Sequence, residues 1–146
     1  MQEKHEGGLS SALSVRVWLR LLTCVDGDRK RLQRRFAEQF NATLPRFDVL
    51  AALERRPEGL TMGELSRALL VSNGNVTALV RQLHEQGLVR SDEAPGDRRS
   101  SIVRLTPEGE RQFAAMAAAH HAWIKAMLAG FPAEQQKQLF LTCWPV

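Results

Sequence analysis

Residues 60–109 constrain the fold of this chain more than any other part of the sequence. Their pattern predicts two short helices, followed by two β-strands that are joined by a charged loop. Thr61 and Glu64 have capping-box spacing at the start of the first helix, where each side chain can bond a free backbone N–H. Ser72 caps the second helix, which buries four apolar residues at helical spacing: Val76, Leu79, Val80 and Leu83. This order of elements predicts a helix-turn-helix followed by a small β-wing.

The second helix of this pair has an outward face suited to the major groove of DNA. That face carries short hydrogen-bonding side chains and one arginine near its N-terminus: Ser72, Asn73, Asn75, Thr77 and Arg81. Asparagine can pair with adenine, and arginine can pair with guanine or bind phosphate. A solvated amphipathic helix would show the same pattern, so the helix alone leaves both interpretations open.

The charged loop strengthens the DNA-binding interpretation. We predict strands at residues 88–93 and 101–105, with a polar loop at 94–100 whose charged residues are Asp97, Arg98 and Arg99. An arginine at such a tip can enter the minor groove, which is narrow and electrostatically negative. Phosphate would repel Asp97, so we expect it to hold an arginine by a bidentate contact. The alternative, an exposed charged turn, is weaker because the loop follows a predicted helix-turn-helix.

Long helices flank this module. Apolar residues recur at helical spacing in residues 9–40, with a predicted kink at Gly27, and again in residues 107–129 and 132–142. A helix as long as the first one needs another long helix, from its own chain or from a second chain, to bury its apolar stripe. We therefore predict a mainly α-helical fold with a small β-wing.

Composition fits a single globular domain of 146 residues, with 44% hydrophobic and 25% charged residues. The net charge of +4 fits a polyanionic partner. Residues 61–106, however, carry six basic and five acidic residues, so the DNA-binding prediction rests on the placement of charges. No apolar run approaches the roughly 20 residues of a membrane helix. Residues 1–8 do not read as a signal peptide; we expect a disordered lead there and a cytoplasmic protein.

Enzymatic motifs are missing from the sequence. There is no Gly-rich phosphate loop, no H-E-x-x-H motif and no nucleophile elbow, so we predict a non-enzyme that needs no cofactor or metal. His120 and its neighbour His121 point about 100° apart on a helix, and we expect one to face inward and the other outward. Cys24 is predicted to be buried and inert, and Cys143 to be exposed.

These motifs resemble the MarR family of bacterial winged-helix transcriptional regulators over residues 9–140. The most specific match is the family's D-x-R, apolar residues and L-T-x-x-G, found here as Asp97, Arg99, Val103, Leu105, Thr106 and Gly109. The resemblance implies a homodimer on a pseudo-palindromic DNA operator. It implies a winged helix-turn-helix at residues 41–106 and a dimerisation region at residues 9–40 and 107–146. The last predicted helix is shorter than the family pattern, which predicts less apolar surface for dimerisation.

The resemblance also implies a small effector, an aromatic acid or phenol, that binds between the dimerisation helices and the winged module and releases DNA. The implied pocket draws on Trp18, Leu22, Arg46, Phe47, Leu50, Met116 and His120. Arg46 is the candidate partner of a carboxylate; alternatively it is a solvated or phosphate-facing charge, and Trp18, Leu22 and Met116 are plain core. The expected function is a ligand-released repressor. The alternatives are a cysteine-based redox sensor and a winged-helix module that binds only proteins.

Overall fold

The computed structural model describes residues 13–143, and the predicted lead at 1–8 lies outside them. The elements in chain order are α1 (Leu13–Phe40), α2 (Leu44–Glu54), β1 (Leu60–Thr61), α3 (Met62–Leu69), α4 (Asn73–Glu85), β2 (Val89–Ala94), β3 (Asp97–Leu105), α5 (Pro107–Met127) and α6 (Ala133–Thr142). The three strands form one antiparallel sheet in the order β1-β3-β2. The predicted fold, mainly α-helical with a small β-wing, is confirmed.

Side-chain caps begin α3 and α4 where the sequence predicts them, and another cap begins α5. The Thr61 hydroxyl accepts the N–H of Glu64 at 3.2 Å, and the Glu64 carboxylate accepts the N–H of Thr61 at 2.8 Å. Ser72 caps α4 through the N–H of Asn75, and Thr106 caps α5 through the N–H of Gly109. Each cap of this kind contributes about 1 kcal/mol, so local sequence fixes where α3, α4 and α5 begin.

The first helix is continuous through Gly27, so the chain is not interrupted at the position where the sequence predicts a kink. A helical glycine costs about 1 kcal/mol relative to alanine, but it removes no backbone hydrogen bond and need not bend the helix. An exposed ion pair between Lys30 and Asp26, 2.7 Å long, joins the residues on either side of Gly27. The helix therefore reaches Phe40 without interruption.

The core is one cluster that joins α1, α2 and α5 to α3, α4 and the sheet, and its aromatic part lies where the second half of α1 meets α2 and α5. Phe36 is completely buried; its ring stacks on Phe47 with centroids 4.8 Å apart and meets the edge of Trp123 at 5.1 Å. Phe113 also stacks on Phe47, with ring centroids 5.6 Å apart. Aromatic pairs of this kind add about 0.5–1.5 kcal/mol each beyond the area they bury. This aromatic cluster fixes the three helices against one another.

The first half of α1 and the whole of α6 are exposed in the single chain. Only Leu32 and Phe36 of α1 are buried, and no residue of α6 is. Trp18 and Leu22 are 59% and 46% exposed, so their interpretation as plain core is wrong for this chain. Within residues 13–143, no helix has the length and apolar character needed to cross a membrane.

Both cysteines are exposed. The prediction for Cys143 is confirmed, and the predicted burial of Cys24 is wrong. Cys24 lies in the part of α1 that precedes the first buried residue, Leu32, so the chain itself does not cover it.

Candidate functional site

The polar face of α4 is exposed while its apolar face is anchored in the core. Val76, Val80 and Leu83 are buried, whereas the predicted DNA-reading residues of the helix are all exposed: Ser72, Asn73, Asn75, Thr77 and Arg81. The preceding turn is tight because Leu70 takes a left-handed conformation, with φ of 55°, and ends α3. The arrangement is a helix-turn-helix whose second helix offers its outer face to a partner.

The wing differs from its prediction in detail. The predicted loop of seven residues is a two-residue turn, Pro95-Gly96, and Asp97 already begins β3. Gly96 has a φ of +80°, the value that a type II turn requires at its third residue, and proline favours the second position of that turn. The proline–glycine pair therefore closes the hairpin earlier than the polarity of the segment suggests.

A bulge places the wing arginines. Ala94 pairs with Asp97, but the next pair along the ladder joins Glu93 to Ser101. Residues 98–100, which include Arg98 and Arg99, therefore stand opposite no residue of β2. Bulges break the alternation of a strand and re-aim its side chains, and both arginines are exposed.

Asp97 stabilises this bulge through the backbone. Its carboxylate accepts a hydrogen bond from the backbone N–H of Arg99 at 2.9 Å, so the predicted bidentate contact with a guanidinium is wrong. Among the described residues, neither Arg98 nor Arg99 forms an ion pair. Two cationic groups at the tip of the wing are therefore available to an anionic partner.

Further along the hairpin lies a charged group that the sequence analysis missed. Arg90 and Arg104 stand directly opposite each other on β2 and β3, and like charges in such a pair repel. Asp92 offsets that repulsion, because its carboxylate bonds Arg104 at 2.8 Å and lies 3.7 Å from Arg90. The alternation of Arg90 and Asp92 on one strand was the only sequence signal for this group.

A cavity of about 220 Å³ lies between α2, α4 and α5. Three of the predicted ligand residues, Arg46, Leu50 and Met116, line it; Trp18 and Leu22 are not among its lining residues. Phe47 and His120 belong to the aromatic cluster. The complete lining is Phe40, Asn41, Ala42, Arg46, Leu50, Leu83, Gln86, Leu88, Gln112 and Met116.

Arg46 connects this cavity to α4. Its Nε donates a hydrogen bond to the side-chain oxygen of Gln82 at 3.0 Å. Among residues 13–143, Arg46 has no carboxylate within ion-pair distance. The cavity is thus lined by a half-buried cation whose hydrogen-bond partner is a neutral amide.

His120 packs on the aromatic cluster, 4.9 Å from the ring of Phe47, while His121 is exposed. The expectation of one inward and one outward histidine is confirmed. Burial lowers the pKa of His120, and the charge of Asp48 opposes that shift. Burial also raises the pKa of Asp48, against the charges of Arg29 and His120. Among the described residues, no three potential metal ligands come together.

This helix pair with its β-wing defines the chain as a winged helix-turn-helix protein, and comparison with known proteins gives its family. A family model described as the MarR family matches residues 40–100. The transcriptional regulator PecS of Dickeya dadantii is 30% identical over 95 residues, 64% of this chain and 57% of PecS. The transcriptional activatory protein BadR of Rhodopseudomonas palustris is 32% identical over 107 residues, 72% of this chain and 61% of BadR.

Solved structures agree with this fold. Sco3205 of Streptomyces coelicolor, solved in complex with DNA, superposes with a TM-score of 0.82 at 22% identity, over 95% of this chain and 88% of that one. PcaV of the same organism, solved with its natural ligand, superposes with a TM-score of 0.75 at 22% identity, over 91% of this chain and 92% of that one.

The chain belongs to the MarR family of transcriptional regulators. Its members are non-enzymatic DNA-binding proteins, which confirms the prediction that the chain is not an enzyme. The matched segments span less than two thirds of PecS and BadR. The roles of individual DNA-binding and ligand-binding residues stay predictions.

Proposed function

We propose that this protein is a homodimeric repressor that binds a pseudo-palindromic DNA operator through α4 and the wing. The observation that carries the proposal is the bulge at residues 98–100, which presents Arg98 and Arg99 without an ion pair among the described residues. Together with the exposed polar face of α4, it offers one element for base edges and one for the minor groove. The DNA complex of Sco3205, a protein of the same fold, supports this use. Binding to the chromosome would place the protein in the cytoplasm.

The proposed dimer would use α1, α5 and α6, the dimerisation region at residues 9–40 and 107–146. The exposed apolar side chains of α1 and α6 support it: Leu13, Val15, Val17, Trp18, Leu21, Leu22, Val25, Leu139, Phe140 and Leu141. Many exposed large apolar side chains on two helices favour a protein interface. A twofold dimer would set two copies of α4 on two half-sites about one helical turn of DNA apart.

The proposed effector is a small aromatic acid that enters the cavity beside Arg46. Support comes from Arg46, which lines the cavity and has no carboxylate within ion-pair distance among the described residues. PcaV, solved with its natural ligand, is a precedent for ligand binding on this fold. Release from DNA would relieve repression, and transcription from an operator template in the presence and absence of the acid tests that direction.

Electrophoretic mobility shifts test the DNA-binding proposal. The protein is titrated against duplexes from upstream of its own gene and against random duplexes, at several salt concentrations. A specific complex with a steep dependence on salt and a footprint of two half-sites about 10 base pairs apart is expected. Equal indifference to both duplexes at low salt would refute the proposal.

A matched pair of double variants tests the wing. Arg98→Ala/Arg99→Ala should abolish specific binding, whereas Arg55→Ala/Arg56→Ala removes the same charge from exposed positions at the end of α2 and should retain it. A module that binds only proteins would tolerate both.

The exposed thiol of Cys24 allows a test of the redox alternative. A redox sensor would lose its response to peroxide in Cys24→Ser. For the proposed repressor, DNA affinity should be the same in Cys24→Ser and the unaltered protein, with and without peroxide.

A further inference from the structure

We propose that Leu70 is a DNA-contacting residue whose side chain packs on the C5-methyl group of a thymine in the major groove. This inference rests on the proposed DNA-binding function and adds an apolar contact to the polar residues of α4. Two observations carry it. Leu70 is 91% exposed, and its backbone has a φ of 55° and a ψ of 38°, a left-handed conformation that leucine rarely adopts.

The turn between α3 and α4 needs this backbone conformation. The N–H of Leu70 donates to the carbonyl of Arg67 at 3.4 Å. The N–H of Val71 donates to the carbonyl of Ser66 at 3.3 Å, a bond of the Schellman motif, which ends a helix through one left-handed residue. Glycine takes this conformation without steric cost, and asparagine takes it more readily than leucine does. The turn therefore accounts for the backbone at residue 70 but not for its leucine side chain.

The Leu70 side chain gains little from its own chain. At 91% exposure it buries almost no apolar surface. Within residues 13–143, the other large apolar side chains that are exposed lie in the proposed dimerisation region, except the neighbouring Val71, which is 38% exposed. Backbone strain that the local fold does not reward clusters at functional sites. A contact outside the chain therefore accounts for leucine at this position.

The position of Leu70 indicates that the partner is DNA. Leu70 lies two residues before Ser72, so their Cα atoms are no more than about 7 Å apart. Ser72 caps α4, and the N-terminal residues of a recognition helix are the ones that contact base edges. Residues 65–84 contain Arg67 and Arg81 but neither aspartate nor glutamate. No acidic side chain of this segment therefore repels the phosphate backbone.

Thymine is the base that offers an apolar group in the major groove. Its C5-methyl group projects from the base edge, where the other groups are hydrogen-bond donors and acceptors. Asn73, Asn75 and Thr77 are exposed at the start of α4 and supply hydrogen-bonding groups, and Leu70 supplies an apolar group beside them. Removing one methyl group from water is worth about fourfold in affinity.

Two substitutions in the full chain separate the contact from the turn. Leu70→Asn suits the left-handed backbone and removes the apolar side chain. Its urea midpoint should equal or exceed that of the unaltered protein, while its DNA affinity should fall at least about fourfold. Leu70→Met is the matched control, because it keeps apolar surface of similar volume and should bind DNA nearly as tightly as the unaltered protein.

Fluorescence anisotropy measures these affinities on the duplex from upstream of the protein's own gene. Leu70→Asn that binds this duplex as tightly as the unaltered protein overturns the inference. A lower urea midpoint in Leu70→Asn also overturns it, because leucine would then stabilise the turn itself. An unaltered protein that binds this duplex no better than a random one refutes the proposed function, and the inference falls with it.

Deoxyuridine in place of thymidine identifies the group that Leu70 contacts. The replacement removes the C5-methyl groups and keeps every hydrogen-bonding group of the duplex. The loss of affinity on the substituted duplex should be about fourfold larger for the unaltered protein than for Leu70→Asn, the value of one methyl contact. Replacement of one thymidine at a time then locates that contact. An equal loss in both proteins overturns the contact between Leu70 and thymine and leaves the proposed function intact.

Discussion

The carboxylate of Asp97 accepts the backbone N–H of Arg99 at 2.9 Å, so an acidic residue helps to shape the cationic tip of the wing. The contact spans part of the bulge at residues 98–100, where the strand ladder provides no partner from β2. A negative charge would be unfavourable beside the phosphate backbone of the proposed DNA partner, and its bond to the Arg99 backbone gives Asp97 a structural reason to be there. The bulge, not an ion pair, sets the course of the chain at Arg98 and Arg99.

Asp97→Ala should weaken binding to operator DNA, because the bulge loses a hydrogen bond that holds its backbone. The net value of one such bond is about 0.5–1.5 kcal/mol, which corresponds to a loss of up to about tenfold in affinity. Asp97→Asn keeps an oxygen acceptor and should lose less, as measured by fluorescence anisotropy at fixed salt. Tighter binding by Asp97→Ala would mean that repulsion from phosphate outweighs the structural contribution.

Arg99→Ala should cost about 1–3 kcal/mol of specific binding, the size of a lost specific arginine contact. Arg99→Lys keeps the charge but loses the planar fork of donors, so it should recover binding to random DNA more fully than binding to the operator. Competition between operator and random duplexes measures the two effects separately. A loss below a few tenths of a kcal/mol would show that the wing makes no specific contact through Arg99.

Local signals predicted the framework of the fold well. Thr61, Glu64 and Ser72 act within one helical turn, so their caps could be predicted from neighbouring residues, and the structure has all of them. The wing was harder to predict, because its geometry depends on the pairing register of two strands. Polarity suggested a long loop, whereas Pro95-Gly96 closes a tight turn and the extra residues form a bulge.

Contacts distant in sequence were not predictable. The bond between Arg46 and Gln82 depends on how α2 packs on α4, and neither residue announces the other in the sequence. The exposure of Trp18 has a different cause. A helical apolar stripe shows that a face is suited to burial, but it does not show whether the covering surface belongs to the same chain or to a second copy.

Gly109→Ala should destabilise the protein, because an added Cβ would overlap the carbonyl oxygen of Leu88. The obstacle is backbone and cannot move aside, so a loss of about 1–3 kcal/mol or more is expected from overpacking. Gly63→Ala is the matched control: no atom lies within 4 Å of its added Cβ, and helix propensity favours alanine by up to about 1 kcal/mol. Urea unfolding of both variants checks the contrast. Equal midpoints would show that α5 can shift away from Leu88.

Phe140→Asp should convert the proposed dimer to monomers. Phe140 is 68% exposed in the single chain. Burying a side chain of this size contributes about 1.5–3 kcal/mol, twice over in a twofold interface. Leu70→Asp is the control, since Leu70 is 91% exposed but lies in the turn before α4, outside the proposed interface. Sedimentation velocity should give a monomer for the first variant and a dimer for the second. A Phe140→Asp protein that remains dimeric would exclude α6 from the interface.

Acid should destabilise the protein through His120. Burial holds the pKa of His120 below its ordinary value of about 6.5 in the folded state. Just below pH 6.5 the unfolded chain therefore binds more protons than the folded one, and the free energy of unfolding rises with pH. The contribution of neutral His120 to the free energy of unfolding is therefore fully present above pH 6.5. It is lost as the pH falls from 6.5 through the pKa of His120 in the folded state.

Urea unfolding between pH 5 and pH 8 measures this slope, and His120→Gln, which does not titrate, should flatten it. Asp48→Asn tests the effect of the neighbouring negative charge on the pKa of His120. The charge of Asp48 favours protonated His120, so its removal should lower the pKa of His120 further and extend the loss of stability to lower pH. A slope that survives in His120→Gln would assign the acid sensitivity to another group; a slope that disappears in Asp48→Asn would contradict the direction of their interaction.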